Sequence, residues 1–454
     1  MSEAIFDKNS NTPLYIQLYS FFKRLIESGQ LKSGDKLVSI RRCCEQFNVS
    51  KTTAQDAYLL LAAEGYIISK PQSGYYVCKL NLISKNEDKV KIRSDSENNY
   101  RIDYDLTSSS LDINSFDFSL WSRYVKSALR QNERLISYGQ VQGEYDLRKA
   151  VCSYINEHRS VYSNPEQIVI GAGTQSLIHI LCSILPKGIS VAFIGSSFER
   201  GKAVFNDYGY KCYDYEKFPE DLEVLNENNI KLIYISPSHF NGEGDILPIN
   251  QRYDLINFSR KNNCLIIEDD YDSEFRYYSK TVPSLQGIAG GKNIIYLATF
   301  SKLLLPSIRI SFMVLPQELL ENYQNKGQFY NQTASVLEQI ALCQFIRDGH
   351  LFQQIRKLRK LFSAKSEALS TSVQNVFGDK AKVSILPSGY LVKAQIKHNE
   401  NAENIALRLK KSGVALKVFS DNNGVLNLIL SCTGTQSKDF NDAVSLIYTV
   451  IFQS

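Results

Sequence analysis

A lysine closes an apolar run, Ile294-Ile-Tyr-Leu-Ala-Thr-Phe-Ser-Lys302, and an arginine follows seven residues later at Arg309. The run reads as a buried strand, which delivers the lysine to a place partly sheltered from water. Such a lysine loses its proton readily and attacks carbonyls as a Schiff-base nucleophile. Arg309 offers a planar fork for a phosphate, and the hydroxyls of Thr299 and Ser301 add donors. A second apolar run, ending Glu268-Asp269-Asp270-Tyr271, supplies carboxylates and a phenol. An aspartate facing a protonated pyridine nitrogen is the partner of a pyridoxal phosphate (PLP) ring. A lysine for an aldehyde, an arginine for a phosphate and an aspartate for a pyridine together read as a PLP site.

The elements that must hold these residues alternate apolar strands with helical stretches from about residue 102 onward. This pattern predicts an α/β body with a mostly parallel sheet and helices on both faces. Ligands of such sheets lie beyond the carboxyl ends of the strands. The strand at 168–170 runs into Gly171-Ala-Gly173-Thr174, a turn at a helix N-terminus that can present backbone N–H groups to a phosphate. The strand at 191–194 leads to Phe198, which could stack on a flat ring, and to Arg200, which could clamp the anion of an effector. The strand at 232–235 ends in Ser236-Pro237-Ser238-His239, with Asn241 just beyond. Strands at 383–386, 391–396 and 414–418 around a helix at 402–411 predict a smaller α+β lobe closing one side of the site.

The chain has 454 residues, 43% apolar and 22% charged, which suits a globular protein of two or three domains. No run approaches the roughly 18 to 20 apolar residues of a membrane helix. The first residues lack the basic flank and apolar core of a secretory signal, so a cytoplasmic location is expected. Nine cysteines without a C-x-x-C pair suit reduced thiols, and five dispersed histidines give no local support for a metal.

The first 80 residues hold ten basic against seven acidic side chains. Pro13 opens an amphipathic helix that Gly29 closes. Ser39 and Ser50 are N-caps of two further helices joined by a turn, a helix-turn-helix whose second helix meets the major groove. Lys51, Thr52, Thr53 and Gln55 at its start have the chemistry for phosphates and base edges. Two β-prone runs around a tip containing Ser73 and Gly74 form a hairpin that can lie beside the groove. Residues 81–104 are polar and aperiodic, a flexible tether. The expected division is therefore 1–80, 81–104 and 105–454.

The strings Gly34-Asp-Lys-Leu-Val-Ser39-Ile-Arg41, Val49-Ser50-Lys51-Thr52-Thr53 and Ser73-Gly74-Tyr75-Tyr76-Val77 resemble the winged helix of GntR-family regulators. On that resemblance Arg41 grips a phosphate and the segment 50–55 reads the groove. The order of Gly-rich turn, stacking aromatic, Ser-Pro-Ser-His, Asp-x-Tyr, Ser-Lys and Arg resembles the fold-type I aminotransferases. It is similar above all to the aminotransferase-like half of MocR-type regulators. The resemblance implies a homodimeric, PLP-binding transcriptional regulator of promoter DNA. Lys302 would be the Schiff-base lysine, Asp269 would hold the pyridine nitrogen protonated, Tyr271 would bond the ring hydroxyl with Asn241 near it, and Phe198 would stack on the ring. Gly173, Thr174, Ser301 and Arg309 would hold the phosphate, with Tyr138 reaching the phosphate of a partner subunit. Where aminotransferases carry a carboxylate-clamping arginine, this chain has Leu426-Asn427, which tilts the expected effector toward PLP itself or an amine, with an amino acid as the other candidate. The alternative is a PLP-dependent aminotransferase with an accessory winged-helix head.

Overall fold

The computed structural model describes residues 12–80, 100–107, 110–195, 198–240, 245–275, 283–327, 329–398, 400–421 and 424–453. The chain divides into two compact units, Met1–Glu97 and Asn98–Ser454.

The first unit is a winged helix. Helix α1 (Leu14–Glu27) starts directly after Pro13, whose extended backbone leads into it. Helix α2 (Ile40–Phe47) begins at Ser39, whose hydroxyl accepts the N–H of Arg42, and ends at Asn48 in the left-handed region with φ 50°. Helix α3 (Lys51–Ala63) begins at Ser50, which accepts the N–H of Thr53. A side-chain oxygen at each start satisfies a backbone donor that the helix itself cannot, contributing about 1 kcal/mol per cap. Strands β1 (Ile67–Lys70) and β2 (Gly74–Val77) form the antiparallel wing. The core is small, and edge-to-face rings fill it: Phe22 lies 5.8 Å from Phe47 and 5.5 Å from Tyr58, which in turn lies 5.2 Å from Tyr75. Such pairs add about 0.5–1.5 kcal/mol each beyond burial, which matters in a domain with little apolar area to bury.

In the second unit a two-residue strand β3 (Tyr104–Asp105) precedes a seven-stranded sheet. The sheet comprises β4 (Ile168–Gly171), β5 (Ser190–Ile194), β6 (Lys211–Tyr215), β7 (Ile230–Ile235), β8 (Leu265–Asp270), β9 (Ile294–Thr299) and β10 (Ser311–Val314). Their spatial order is β4-β10-β9-β8-β7-β5-β6, mostly parallel, with β10 antiparallel to both of its neighbours. Its central strands are buried at all but one position each, as a sheet covered on both faces requires. Because β10 runs against the others, its first residues reach the same sheet edge as the last residues of β4 and β9. Arg309 thereby comes to lie beside Gly173.

The smaller lobe is a four-stranded antiparallel sheet of β11 (Ala381–Ile385), β12 (Leu391–Lys397), β14 (Lys417–Ser420) and β15 (Val425–Ser431), in the order β11-β12-β15-β14. Strand β13 (Val414–Ala415) pairs in parallel with β3 instead. The helix expected at 402–411 is Ala402–Lys411. No helix among the described residues is long and apolar enough to cross a membrane.

Candidate functional site

The site gathers at the carboxyl ends of β4, β7, β8 and β9. Strand periodicity sorts the three successive carboxylates of β8. Glu268 and Asp270 point to one face and have structural partners. Glu268 accepts the backbone N–H groups of Leu285 and Gln286, both at 2.8 Å. Asp270 accepts the Arg159 guanidinium at 2.7 Å and the Tyr296 hydroxyl at 2.6 Å, all of them buried. Asp269 points the other way. Its Oδ2 accepts the hydroxyl of Tyr234 at 2.5 Å, while its Oδ1 is buried without a hydrogen-bond partner. Burial pushes the Asp269 carboxyl up to about 7, with the Tyr234 hydroxyl pulling it down.

Tyr234 is the middle of an aromatic stack, 5.2 Å from Phe193 and 5.9 Å from Phe198 with near-parallel planes. Phe198 therefore stands one ring away from the Asp269 carboxylate. Gly201 makes room for it, since a Cβ there would fall 2.3 Å from the Phe198 ring.

Lys302 leaves β9 through Ser301 and lies over the rings of Tyr271, 4.6 Å from its Nζ, and Tyr390, at 5.1 Å. Burial pushes its amine below the usual lysine range, against the pull of Asp272 and Asp269. The Tyr271 phenol is raised well above its ordinary value, by burial first and then by the Asp272 and Asp269 charges. Its ring packs 5.2 Å from that of His239.

A hydroxyl cluster joins β9 to β10: Ser311 Oγ donates to Thr299 Oγ1 at 2.8 Å, and Thr299 Oγ1 in turn donates to Ser301 Oγ at 3.1 Å. Arg309 adopts the left-handed conformation, φ 54°, which is uncommon for a residue with a side chain. Its Nη2 donates to the Ala172 carbonyl at 3.5 Å, beside the start of the helix Thr174–Ile184. Gly173 at that turn has φ +97°, and a Cβ on it would meet Arg309 Nη2 at 2.3 Å. The result is a guanidinium against a helix N-terminus with no side chain between them, a ready anion cradle.

Lys302, Asp269, Tyr271, Phe198, Gly173, Thr174, Ser301 and Arg309 thus share one end of the sheet. Among the described residues, no hydrogen bond or ion pair links Tyr138 or Arg200 to them. Tyr138 is 97% exposed and Arg200 is exposed on the helix Glu199–Asp207. Asn241 lies outside the described residues. Asn427 is buried in the small lobe, where it accepts from Gln395 at 3.1 Å and donates to the Val425 carbonyl at 3.0 Å. Sequence reasoning passed over Tyr234, Asp272 and Tyr390. Tyr234 carried a signal, since a phenol in a fully buried strand needs a partner for its hydroxyl.

Among the described residues of the winged helix, Arg41 pairs with Glu45 at 3.3 Å, with the two side chains 92% and 65% exposed. A pair of that kind is worth at most about 1 kcal/mol, so Arg41 can turn to a phosphate. Lys51, Thr52 and Gln55 are exposed at the start of α3, and Thr53 is half-buried. Ser39 and Ser50 use their hydroxyls as helix caps. At the wing tip Ser73 Oγ bonds the Tyr76 hydroxyl at 2.6 Å, and Gly74 sits at φ +110°.

A helix-turn-helix of this kind together with an aminotransferase-type sheet defines a DNA-binding regulator built on an enzyme fold. Residues 109–431 match the family described as aminotransferase class I and II, and residues 14–77 match bacterial regulatory proteins of the gntR family. The chain belongs to the MocR-type transcriptional regulators, which join these two parts. It is 34% identical over 417 residues to the uncharacterized HTH-type transcriptional regulator YdeL of Bacillus subtilis, covering 90% of each chain. It is 28% identical over 382 residues to the probable rhizopine catabolism regulatory protein MocR of Rhizobium meliloti, with 80% of this chain and 78% of that one covered. Similarity to the pyridoxine biosynthesis regulator PdxR of Corynebacterium glutamicum is 24% over 456 residues, covering 96% and 97%. Among solved structures, the α-aminoadipate aminotransferase LysN of Thermus thermophilus, complexed with N-(5'-phosphopyridoxyl)-L-leucine, shares the fold at TM-score 0.66 and 20% identity, over 76% of this chain and 91% of that one.

Proposed function

We propose that the chain is a cytoplasmic, homodimeric regulator that binds promoter DNA through its winged helix and holds PLP in the body as a sensor, without sustained turnover. The observation that carries the PLP assignment is the buried Asp269 oxygen without a partner, close enough to a desolvated Lys302 to feel its charge. A protonated ring nitrogen would satisfy that oxygen, and leaving it unpaired costs about 1–3 kcal/mol. The donor set fits the rest of the cofactor: Gly173, Thr174, Ser301 and Arg309 for the phosphate, Tyr271 for the ring hydroxyl, Phe198 for the ring face. Bound PLP would supply an aldehyde for Lys302 and an electron-withdrawing ring. Asn241 belongs near the ring hydroxyl, and Tyr138, exposed in one subunit, would reach the phosphate of the partner subunit.

Sensing rather than turnover is favoured by Asn427, whose amide is held by Gln395 and Val425 and offers no cation to a substrate carboxylate. PLP itself is then the first effector to test, with control of vitamin B6 supply as its purpose, followed by amines and amino acids that Arg200 could attract. On DNA, Arg41 and the segment 50–55 make the groove and phosphate contacts, with Ser39 setting the start of α2 and Ser73 and Gly74 forming the wing tip. A ligand changes DNA binding only by preferring one arrangement of the protein over another.

The test is a gel shift of the purified protein on its own upstream region, at stated salt, with and without PLP, beside Lys302→Ala. A specific shift altered by PLP in the wild type and indifferent to PLP in Lys302→Ala is expected. No specific shift under any ligand condition, with steady amino-group transfer instead, would overturn the proposal.

A further inference from the structure

Lys302 is held by a chain of side chains from three other segments. Its Nζ donates to the Tyr390 hydroxyl at 3.0 Å, and that hydroxyl donates to Asp272 Oδ2 at 2.6 Å. The same Asp272 oxygen lies 2.8 Å from His239 Nδ1. Tyr390, Asp272 and His239 are 2%, 4% and 6% exposed. Tyr390 enters from the small lobe on the turn before β12, Asp272 follows β8, and His239 follows β7.

The directions of these bonds follow from chemistry. Burial works against a charge on Asp272, but His239, Lys302 and Tyr390 outweigh it and hold the carboxyl well below its usual range. A carboxylate only accepts, so Tyr390 must donate to it. The Tyr390 oxygen is left as an acceptor, and among the described residues the Lys302 amine is the donor given to it. One N–H of Lys302 is thereby engaged, which turns the lone pair of the neutral amine away from Tyr390. The hydroxyl also favours the ammonium over the neutral amine, because only the cation gains a charge-assisted bond.

We propose, resting on the PLP-binding reading above, that Tyr390 is the positioning residue of Lys302: clamped by Asp272 and His239, it docks the free amine and sets how readily that amine captures an aldehyde. Capture replaces the aldehyde oxygen by the Lys302 nitrogen, and the oxygen leaves as water with both amine protons. Tyr390 takes no part in the bond changes. It decides where the nitrogen waits and in which protonation state.

The titratable groups around Lys302 are Asp269, Tyr271 and Asp272 from β8 and its following turn, His239 after β7 and Tyr390, with Arg309 at the neighbouring Gly173 turn. The test uses the full chain after exhaustive dialysis. The pH dependence of Lys302 acetylation by acetic anhydride, read by peptide mass spectrometry, gives the amine's midpoint without any cofactor. Stopped-flow absorbance on mixing with PLP gives the capture rate and its plateau at high pH, where the amine is neutral in every variant. In Tyr390→Phe the midpoint falls by about one pH unit, and the plateau falls about fivefold to tenfold as orientation is lost. Asp272→Asn, which keeps the shape and removes the charge, lowers the midpoint in the same direction. A midpoint or a plateau that stays at the wild-type value in folded Tyr390→Phe overturns the proposal. Failure of the PLP-binding reading shows separately, as wild-type protein whose mixing trace with PLP matches that of Lys302→Ala, while the acetylation midpoints still judge the docking.

Discussion

Replacing Tyr234 by phenylalanine removes one hydroxyl and keeps the ring between Phe193 and Phe198. The hydroxyl is the sole hydrogen-bond donor given to Asp269 among the described residues. A hydrogen bond to a charged group is worth about 1.5–3 kcal/mol, and one pKa unit corresponds to about 1.4 kcal/mol. Without it, the Asp269 carboxyl, already near 7 through burial, rises by about one to two units. At pH 7.5 the wild-type group is mostly ionised, and in the variant it is mostly neutral. A neutral carboxyl forms no ion pair with a protonated ring nitrogen, so the PLP dissociation constant should rise about threefold to twenty-fivefold at pH 7.5 and approach about tenfold to a hundredfold at lower pH. The assay is absorbance titration of dialysed protein with PLP from pH 6.5 to 8.5, with circular dichroism to verify folding. The loss should be larger at the acid end and shrink toward pH 8.5, where the variant's carboxyl ionises as well. Wild-type affinity and an unchanged pH dependence in Tyr234→Phe would refute the role given to Asp269.

Gly173→Ala places a methyl where Arg309 Nη2 now lies and at a φ that alanine tolerates poorly; PLP titration should show at least tenfold weaker binding, with ligand-free DNA binding by gel shift unchanged. Asp270→Ala leaves the Arg159 guanidinium buried without its carboxylate, and urea denaturation should show a loss of about 3–5 kcal/mol. Burial, assisted by Asp270, raises Glu268 as well as Asp269 to about 7 in the folded chain. A carboxyl raised in this way contributes stability that is complete below its unfolded value near 4 and lost as pH rises through about 7. Urea midpoints of the PLP-free protein should therefore fall between pH 5 and pH 8, by about 3 kcal/mol per group, and Asp269→Asn should flatten that fall. In the head, Lys51→Ala should weaken binding across operator variants alike and reduce the salt slope by about one, read by gel shift from 50 to 200 mM salt; an unchanged slope would remove Lys51 from the phosphate contacts.

Much of this protein is legible in its residues taken in order. Ser39 and Ser50 announce helix starts because a side-chain oxygen next to an orphan N–H is a local event, complete within three residues. The strands that carry Asp269 and Lys302 are legible because unbroken apolar runs have few alternatives to burial in a sheet. Sequence alone therefore determined the winged helix, the α/β body, and the residue types that could bind a phosphate, an aldehyde and a pyridine. It did not separate Asp269 from Glu268 and Asp270 by partner. Nor did it show which of Arg309, Arg200 and Tyr138 is held beside Gly173.

Those distinctions belong to the tertiary structure. Asp269 is set apart by the pleat of β8, which turns it to Tyr234 from the neighbouring strand while Asp270 meets Arg159 from a helix 111 residues earlier. Arg309 reaches Gly173 because β10 runs against its neighbours, a matter of topology that no local spacing encodes. Tyr390 meets Lys302 across 88 residues and two lobes. Local chemistry decides what a residue can do, and long-range packing decides which residues are close enough to do it together, because hydrogen bonds act over about 3 Å whatever the separation along the chain.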